Sequence, residues 1–258
     1  MTIVDCAVEG RVARLTISRP ERRNALNHRG LEELHDGVRR AADGDVRALV
    51  ITGAADHFCA GADLKELEDP AFAHELRVVL DDLGALPFPT IAAIAGACMG
   101  LGTQIALSCD LRLATPDARF AVPVAKLGLM VDHWTVQRLA LLAGHSTARW
   151  MLLTAEPVTA TEAHRVGLVH RLVDVAEDDS PGATVLDAAH QLASTVAALA
   201  PLSLAGSKLG LDLLQRHTAD IDPEGAYLAA FGAAWASDDL IEGRRAFGER
   251  RAPEFRGS

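Results

Sequence analysis

The sequence reads as an α/β protein whose first half mixes strands with helices and whose second half is almost wholly helical. Short runs rich in β-branched and small apolar residues alternate with amphipathic stretches as far as Ala114. Beyond that point Leu168 to Leu172 is the one strand-like segment among helical patterns. A chain of 258 residues with 49% apolar side chains is long enough to bury a large core, which excludes disorder.

Val4 to Ser18, interrupted at Glu9-Gly10, predicts a hairpin of two strands. The Leu31, Leu34, Val38 spacing predicts a helix that Asp43-Gly44-Asp45 stops. Ala48 to Thr52 predicts a buried strand ended by Gly53, with a loop from Ala54 to Ala62 and a second amphipathic helix over about Phe72 to Leu86. Thr90 to Ala95 is another buried strand. It leads into a glycine turn, Gly96 to Gly102, a small-residue helix over Leu101 to Cys109 and a short strand over Leu111 to Ala114. Leu83 to Cys109 carries no charge and has the length of a membrane span. Its prolines and glycines (Pro87, Pro89, Gly96, Gly100, Gly102) and the bordering Asp82 and Asp110 make it buried strand, turn and buried helix instead, so no membrane span is expected. Helices follow at Thr135 to Ala143, Ser146 to Thr154, Thr161 to Val166, Thr184 to Leu199, Pro201 to Gln215, Pro223 to Trp235 and Asp238 to Arg251. Glu177 to Gly182 is the candidate linker, and the expected division is a core over 1–195 and a helical region over 196–258.

With 25 Lys+Arg against 35 Asp+Glu the net charge is −10, which repels a polyphosphate backbone, so nucleic acid is not an expected partner. Lysine occurs only at Lys65, Lys126 and Lys208, so a basic site is built mainly from guanidinium groups, which suit the phosphates of a small ligand. Cys6, Cys59, Cys98 and Cys109 form no C-x-x-C pair, and ten histidines show no H-x-x-x-H spacing. No metal is therefore implied, and a reducing cytoplasm is the expected compartment. The start Met1-Thr2-Ile3-Val4-Asp5 lacks the basic and apolar regions of a signal peptide.

Gly100-Leu101-Gly102-Thr103-Gln104-Ile105 lacks the third small residue of a dinucleotide fingerprint, and neither a phosphate-binding G-x-x-x-x-G-K-[ST] loop nor a G-x-S-x-G nucleophile elbow occurs. Two glycine turns remain, Cys59 to Leu64 and Gly96 to Gly102, each read as leaving a buried strand for a helix. Backbone N–H groups exposed side by side in such turns would hold a developing oxyanion. By spacing alone, two ordinary strand-to-helix turns are the simpler account.

Four segments change that balance: Arg19-Pro20-Glu21-Arg22-Arg23-Asn24-Ala25-Leu26, Phe58-Cys59-Ala60-Gly61-Ala62-Asp63-Leu64, Cys109-Asp110-Leu111-Arg112, and Phe247 to Phe255 at the end of the chain. In this order and spacing, covering nearly the whole chain, they resemble the crotonase, or enoyl-CoA hydratase/isomerase, superfamily. The resemblance implies a spiral of ββα units and a helical C-terminal trimerisation region. It also implies homotrimers or dimers of trimers, no covalently bound cofactor, and a coenzyme A thioester as ligand or substrate. Carried over residue by residue, the oxyanion hole is the N–H of Ala62 and the N–H of Leu101. Ala60, Ala62, Asp63, Leu64 and Lys65 line the coenzyme A, and Phe231 and Arg250 match positions that reach adenine and phosphates. A core aromatic and a solvated arginine are the equally weighted alternatives for those two.

Hydratases of this family flank the thioester with two glutamates; the matching positions here are Gln104 and Val124. Neither exchanges a proton, and each positioned acid or base contributes roughly 10²–10⁴-fold. Asp132, in Gly128-Leu129-Met130-Val131-Asp132-His133-Trp134, sits where some relatives place a catalytic aspartate. It reads either as a base in an apolar setting beside Met130, Val131 and Trp134, or as the cap of the helix that follows. The pattern resembles an actinobacterial acyl-CoA-binding branch that lacks both glutamates. Three functions stay open: a fatty acyl-CoA binder or carrier of lipid metabolism without efficient hydratase activity, an enoyl-CoA isomerase using Asp132, and an assembly subunit without ligand.

Overall fold

The computed structural model describes residues 2–64, 71–216, 232–233 and 235–254. The hairpin is present as β1 (Val4–Glu9) and β2 (Val12–Ile17), paired antiparallel from Val4↔Ile17 to Glu9↔Val12. Gly10 turns the chain at φ 59°, a region open to glycine because it has no Cβ. Then come α1 (His28–Asp43), β3 (Ala48–Gly53), α2 (Ala71–Ala85), β4 (Thr90–Ile94), β5 (Ala97–Met99), α3 (Leu101–Ser108), β6 (Leu111–Ala114) and β7 (Arg119–Ala121). The second half holds α4 (His133–Thr154), β8 (Val158–Thr159), α5 (Ala160–Arg165), β9 (Arg171–Leu172), α6 (Pro181–Ala197), α7 (Pro201–Arg216) and α8 (Asp238–Glu249).

The main sheet runs β1-β2-β3-β4-β6-β9, parallel from β2 onward. Parallel neighbours need a crossover, which α1 supplies between β2 and β3 and α2 between β3 and β4. Both faces are covered, so side chains alternate between two apolar layers. Leu15, Ile17, Leu49, Ile51, Ala92 and Ile94 join the layer that includes Leu31, Leu34 and Val38 of α1 and Leu80 and Leu83 of α2. Val12, Val50, Ile91, Ala93 and Leu113 face Val185, Ala189 and Ala193 of α6. A second sheet, β5-β7-β8, is short.

The uncharged stretch from Leu83 to Cys109 is the end of α2, β4, β5 and α3, buried throughout α3. Among the described residues no single helix is long and apolar enough to cross a membrane. The two helices expected around Ala143 and Ser146 form one run, α4, broken at Gly144 with φ 77° and ψ 152°. Three strands escaped the sequence: β5, β7 and β8 are two or three residues long, too short to display a period. The strand expected over Leu168 to Leu172 shrinks to β9, Arg171–Leu172.

The acidic segment at Glu177 to Gly182 is no hinge. Ser180 caps α6 by accepting from Ala183 N, while Asp56 accepts from Ser180 Oγ at 2.8 Å and from Gly182 N at 3.1 Å. A Cβ at Gly182 would stand 2.0 Å from Ala55 O, so the helix start is pressed against the loop after β3. The expected helix from Pro223 to Trp235 lies largely outside the described residues.

Candidate functional site

Backbone pairing sets the site. Cys59 and Cys98 form an isolated parallel bridge: Cys59 N–H donates to Ala97 O at 2.9 Å, and Met99 N–H to Cys59 O at 2.9 Å. The two glycine turns therefore leave the same level side by side. The first follows this bridge rather than a full strand, which corrects the sequence expectation. A Cβ on Gly100 would lie 4.0 Å from Gly61 Cα, and one on Gly61 would lie 3.2 Å from Met99 O, closer than most neighbours tolerate. Gly61 also has φ 114°, so both space and conformation call for glycine there.

The N–H groups of Ala62 and Leu101 belong to these two turns. Leu26 N–H donates to Gly61 O at 3.0 Å and Asp63 N–H to Leu26 O at 2.7 Å, an arrangement that leaves Ala62 N–H on the opposite side. Leu101 opens α3, where the first-turn N–H groups have no intrahelical acceptor. Neither Ala62 N–H nor Leu101 N–H donates to another atom among the described residues. Both residues line one cleft of about 1890 Å³ together with Ala60, Asp63, Leu64, Gln104, Val124, Asp132 and Arg250. Lys65 and Phe231, the other two residues assigned to the ligand, lie outside the described residues.

Two of the resembling segments prove to be supports. Asn24 is fully buried, and its Nδ2 donates to Ala54 O at 2.9 Å and His57 O at 2.6 Å while its Oδ1 accepts from Arg19 N at 2.9 Å. It clamps the first turn's approach, and Ala60 N–H completes the joint on Arg23 O at 2.9 Å. Arg112 is fully buried and donates to Leu168 O at 2.6 Å, Ala106 O at 3.0 Å and Cys109 O at 2.6 Å, tying down the C-terminal end of α3. Burial pushes its guanidinium down to about 10, so it remains charged at neutral pH and matches the negative helix end. Asp110 accepts from Thr90 N at 2.8 Å and from Lys208 Nζ at 2.8 Å, which fastens α7 to the edge of β4.

The carboxylates of the cleft are both paired. Asp63 meets Arg19 Nη2 at 3.2 Å. Asp132 is the N-cap of α4: Thr135 N donates to its Oδ1 at 3.1 Å and the Thr135 hydroxyl donates to the same oxygen. Its Oδ2 accepts from Arg77 Nη1 at 3.2 Å, and that guanidinium lies 4.0 Å above the Trp134 ring. The setting of Asp132 is therefore ionic rather than apolar. Arg77 belongs to α2 and no motif announced it; the helical spacing of α2 marks only its apolar stripe. Gln104 Nε2 donates to Thr135 Oγ1 at 2.7 Å, so Gln104 is joined to the capping aspartate through one hydroxyl.

At the mouth, Arg22, Lys126, Arg244, Arg245, Arg250 and Arg251 line the cleft, the arginine-dominated rim that the composition anticipated. Arg250 ends α8 in a left-handed conformation at φ 55°, and Arg251 is held by Glu242 and Glu249, each at 2.6 Å. Among the described residues no group of three or more His, Cys, Asp or Glu is placed to hold a metal.

A family profile described as enoyl-CoA hydratase/isomerase matches residues 7–258. The chain belongs to the enoyl-CoA hydratase/isomerase family. It is 39% identical over 251 residues, 96% of each chain, to a Mycobacterium tuberculosis protein named probable enoyl-CoA hydratase echA6. It is 34% identical over 255 residues to the short-chain-enoyl-CoA hydratase of Clostridium acetobutylicum, covering 95% of this chain and 94% of that one. Among solved structures it is similar to a methylmalonyl-CoA decarboxylase in complex with 2-nitronate-propionyl-CoA, with TM-score 0.88, 25% identity and 99% of both chains covered. The α/β architecture is thus that of the crotonase fold. The cleft of this chain carries Gln104, Val124 and the Arg77–Asp132 pair.

Proposed function

We propose that the cleft binds fatty acyl-CoA thioesters and that the protein acts as a binder or carrier without efficient hydratase activity. The observation that carries this is the pairing of every carboxylate on the described cleft wall. Asp63 is held by Arg19, and Asp132 by Arg77 and Thr135, while Gln104 and Val124 are neither acids nor bases at neutral pH. The thioester oxygen would accept from Ala62 N–H and Leu101 N–H at the positive end of α3. The coenzyme phosphates would meet the arginine rim at Arg250, and the adenine would meet Phe231.

Asp132 nevertheless lines the same cleft, and that supports a second reading as an enoyl-CoA isomerase. For that chemistry Arg77 and Thr135 must release the carboxylate first. An assembly subunit without ligand is the least supported, since both turns leave their N–H groups unengaged. The proposed assembly is a homotrimer or a dimer of trimers in the cytoplasm, with 196–258 as the oligomerisation region. Exposed Leu202, Leu209, Leu213, Ile241 and Phe247 support it, because such side chains are usually covered.

Calorimetry with saturated acyl-CoA, run beside assays on crotonyl-CoA and a 3-enoyl-CoA, separates these functions. Binding near micromolar, about −8 kcal/mol, without turnover is the expected result. Absence of heat and of thermal shift across several chain lengths defeats the proposal, and efficient double-bond migration replaces it with the isomerase. A monodisperse monomer by light scattering would contradict the assembly.

A further inference from the structure

We infer that Gln104 selects acyl groups bearing a hydroxyl close to the thioester, and that Thr135 is the positioning residue that aims its amide. The inference rests on the acyl-CoA proposal above. A carboxylate only accepts hydrogen bonds, so the Thr135 hydroxyl must give its single hydrogen to Asp132 Oδ1. Thr135 Oγ1 is then left as an acceptor, and Gln104 must turn its NH₂ toward it, as the 2.7 Å contact records. The ion pair of Asp132 with Arg77 keeps the direction of this chain from reversing.

Gln104 Oε1 is consequently turned away from Thr135, and among the described residues it receives no hydrogen bond. Gln104 is 8% exposed, and it lines the cleft. The oxygen opens onto the cleft and is not among the fully buried unpartnered atoms, so an apolar occupant that covers it leaves it without a donor, and an occupant that brings a donor removes that cost. The cleft it lines also holds Leu76, Leu80, Leu101, Val124, Leu129 and Val131, and since Asp132 is already taken up by Arg77 and Thr135, the Gln104 amide is the neutral polar group left to meet a ligand there.

Its place along the chain follows from the helix. Gln104 stands three residues after Leu101 on α3 and shares its face, so a carbonyl held at Leu101 N–H brings the next carbons beside the amide. A saturated chain leaves Oε1 unpaired. A hydroxyl donates to Oε1 and satisfies it.

Calorimetry on the full chain compares octanoyl-CoA with 2-hydroxyoctanoyl-CoA and 3-hydroxyoctanoyl-CoA. One hydroxyacyl thioester is expected to bind about tenfold more tightly than octanoyl-CoA. In Gln104→Met the ratio falls to about one. Thr135→Val, which removes the anchor but keeps Gln104, lowers the ratio to about threefold or less, and Thr135→Ser restores it, a rescue that a purely packing role of Thr135 would not produce. If Gln104→Met does not fold, the Thr135 pair decides. Equal affinity of all three thioesters for the wild type overturns this inference and leaves acyl-CoA binding intact. No binding by any of them overturns both.

Discussion

Arg77 and Asp132 close an ion pair between α2 and the start of α4, Nη1 to Oδ2 at 3.2 Å, with the guanidinium laid over Trp134. A carboxylate that already holds a guanidinium, a hydroxyl and a backbone N–H has little left with which to take a proton from a ligand.

The first prediction concerns this carboxylate. Asn keeps the cap and gives up the ion pair with Arg77, so Asp132→Asn is expected to lose at most about 1 kcal/mol in urea denaturation, while Asp132→Ala loses the cap as well, a further loss of about 0.5–2 kcal/mol. On the proposed binder reading neither variant changes turnover of a 3-enoyl-CoA, because the wild type is expected to show none. Double-bond migration by the wild type, abolished in Asp132→Asn with stability kept, would establish the isomerase instead.

Hydration tests the substitutions at Gln104 and Val124. Crotonyl-CoA is expected to be hydrated at least about 10⁴-fold more slowly than by a two-glutamate relative, since both proton-transfer groups are absent. A stopped assay following absorbance of the enoyl thioester checks this, and a rate in the range of the hydratases would refute it.

Asp56 supplies a pH signature. Hydrogen bonds from Gly182 N–H and the Ser180 hydroxyl hold its carboxyl below the ordinary value of 3.8. Its lowered folded-state value means that its stabilisation is complete above pH 3.8 and is lost as pH falls through the lower folded value. Asp56→Asn is therefore expected to weaken the protein at neutral pH and to flatten its acid unfolding profile below about pH 4. Parallel acid profiles for the two proteins would count against this coupling of α6 to the loop after β3.

Thiol chemistry provides a test of the core. Burial pushes Cys59 and Cys109 up to about 12 and Cys98 well above its ordinary value, whereas Cys6 is half-buried on β1. A thiolate reagent at pH 8 is expected to modify Cys6 alone in the folded protein and all four cysteines after denaturation. Rapid reaction of a second thiol in the native state would mean that the Cys59–Cys98 bridge opens.

The sequence by itself determined the hairpin at Glu9-Gly10, the apolar stripe of α1, the buried strands β3 and β4, and the character of Leu83 to Cys109, because each is a local pattern with its own period or punctuation. It also supplied Gln104 and Val124, the residues on which the proposal of a binder without efficient hydratase activity rests. Only the tertiary structure decided the rest. Strands of two or three residues such as β7 and β8 exist through their neighbours, and the segment at Glu177 to Gly182 looked like a linker until Asp56 met Ser180 from 124 positions away. The contacts that set the character of the site join residues far apart in the chain: Cys59 with Cys98, Gln104 with Thr135, and Arg77 with Asp132. No local periodicity encodes such pairs, because their hydrogen bonds form only once the packed layers have brought distant backbone and side chains within reach.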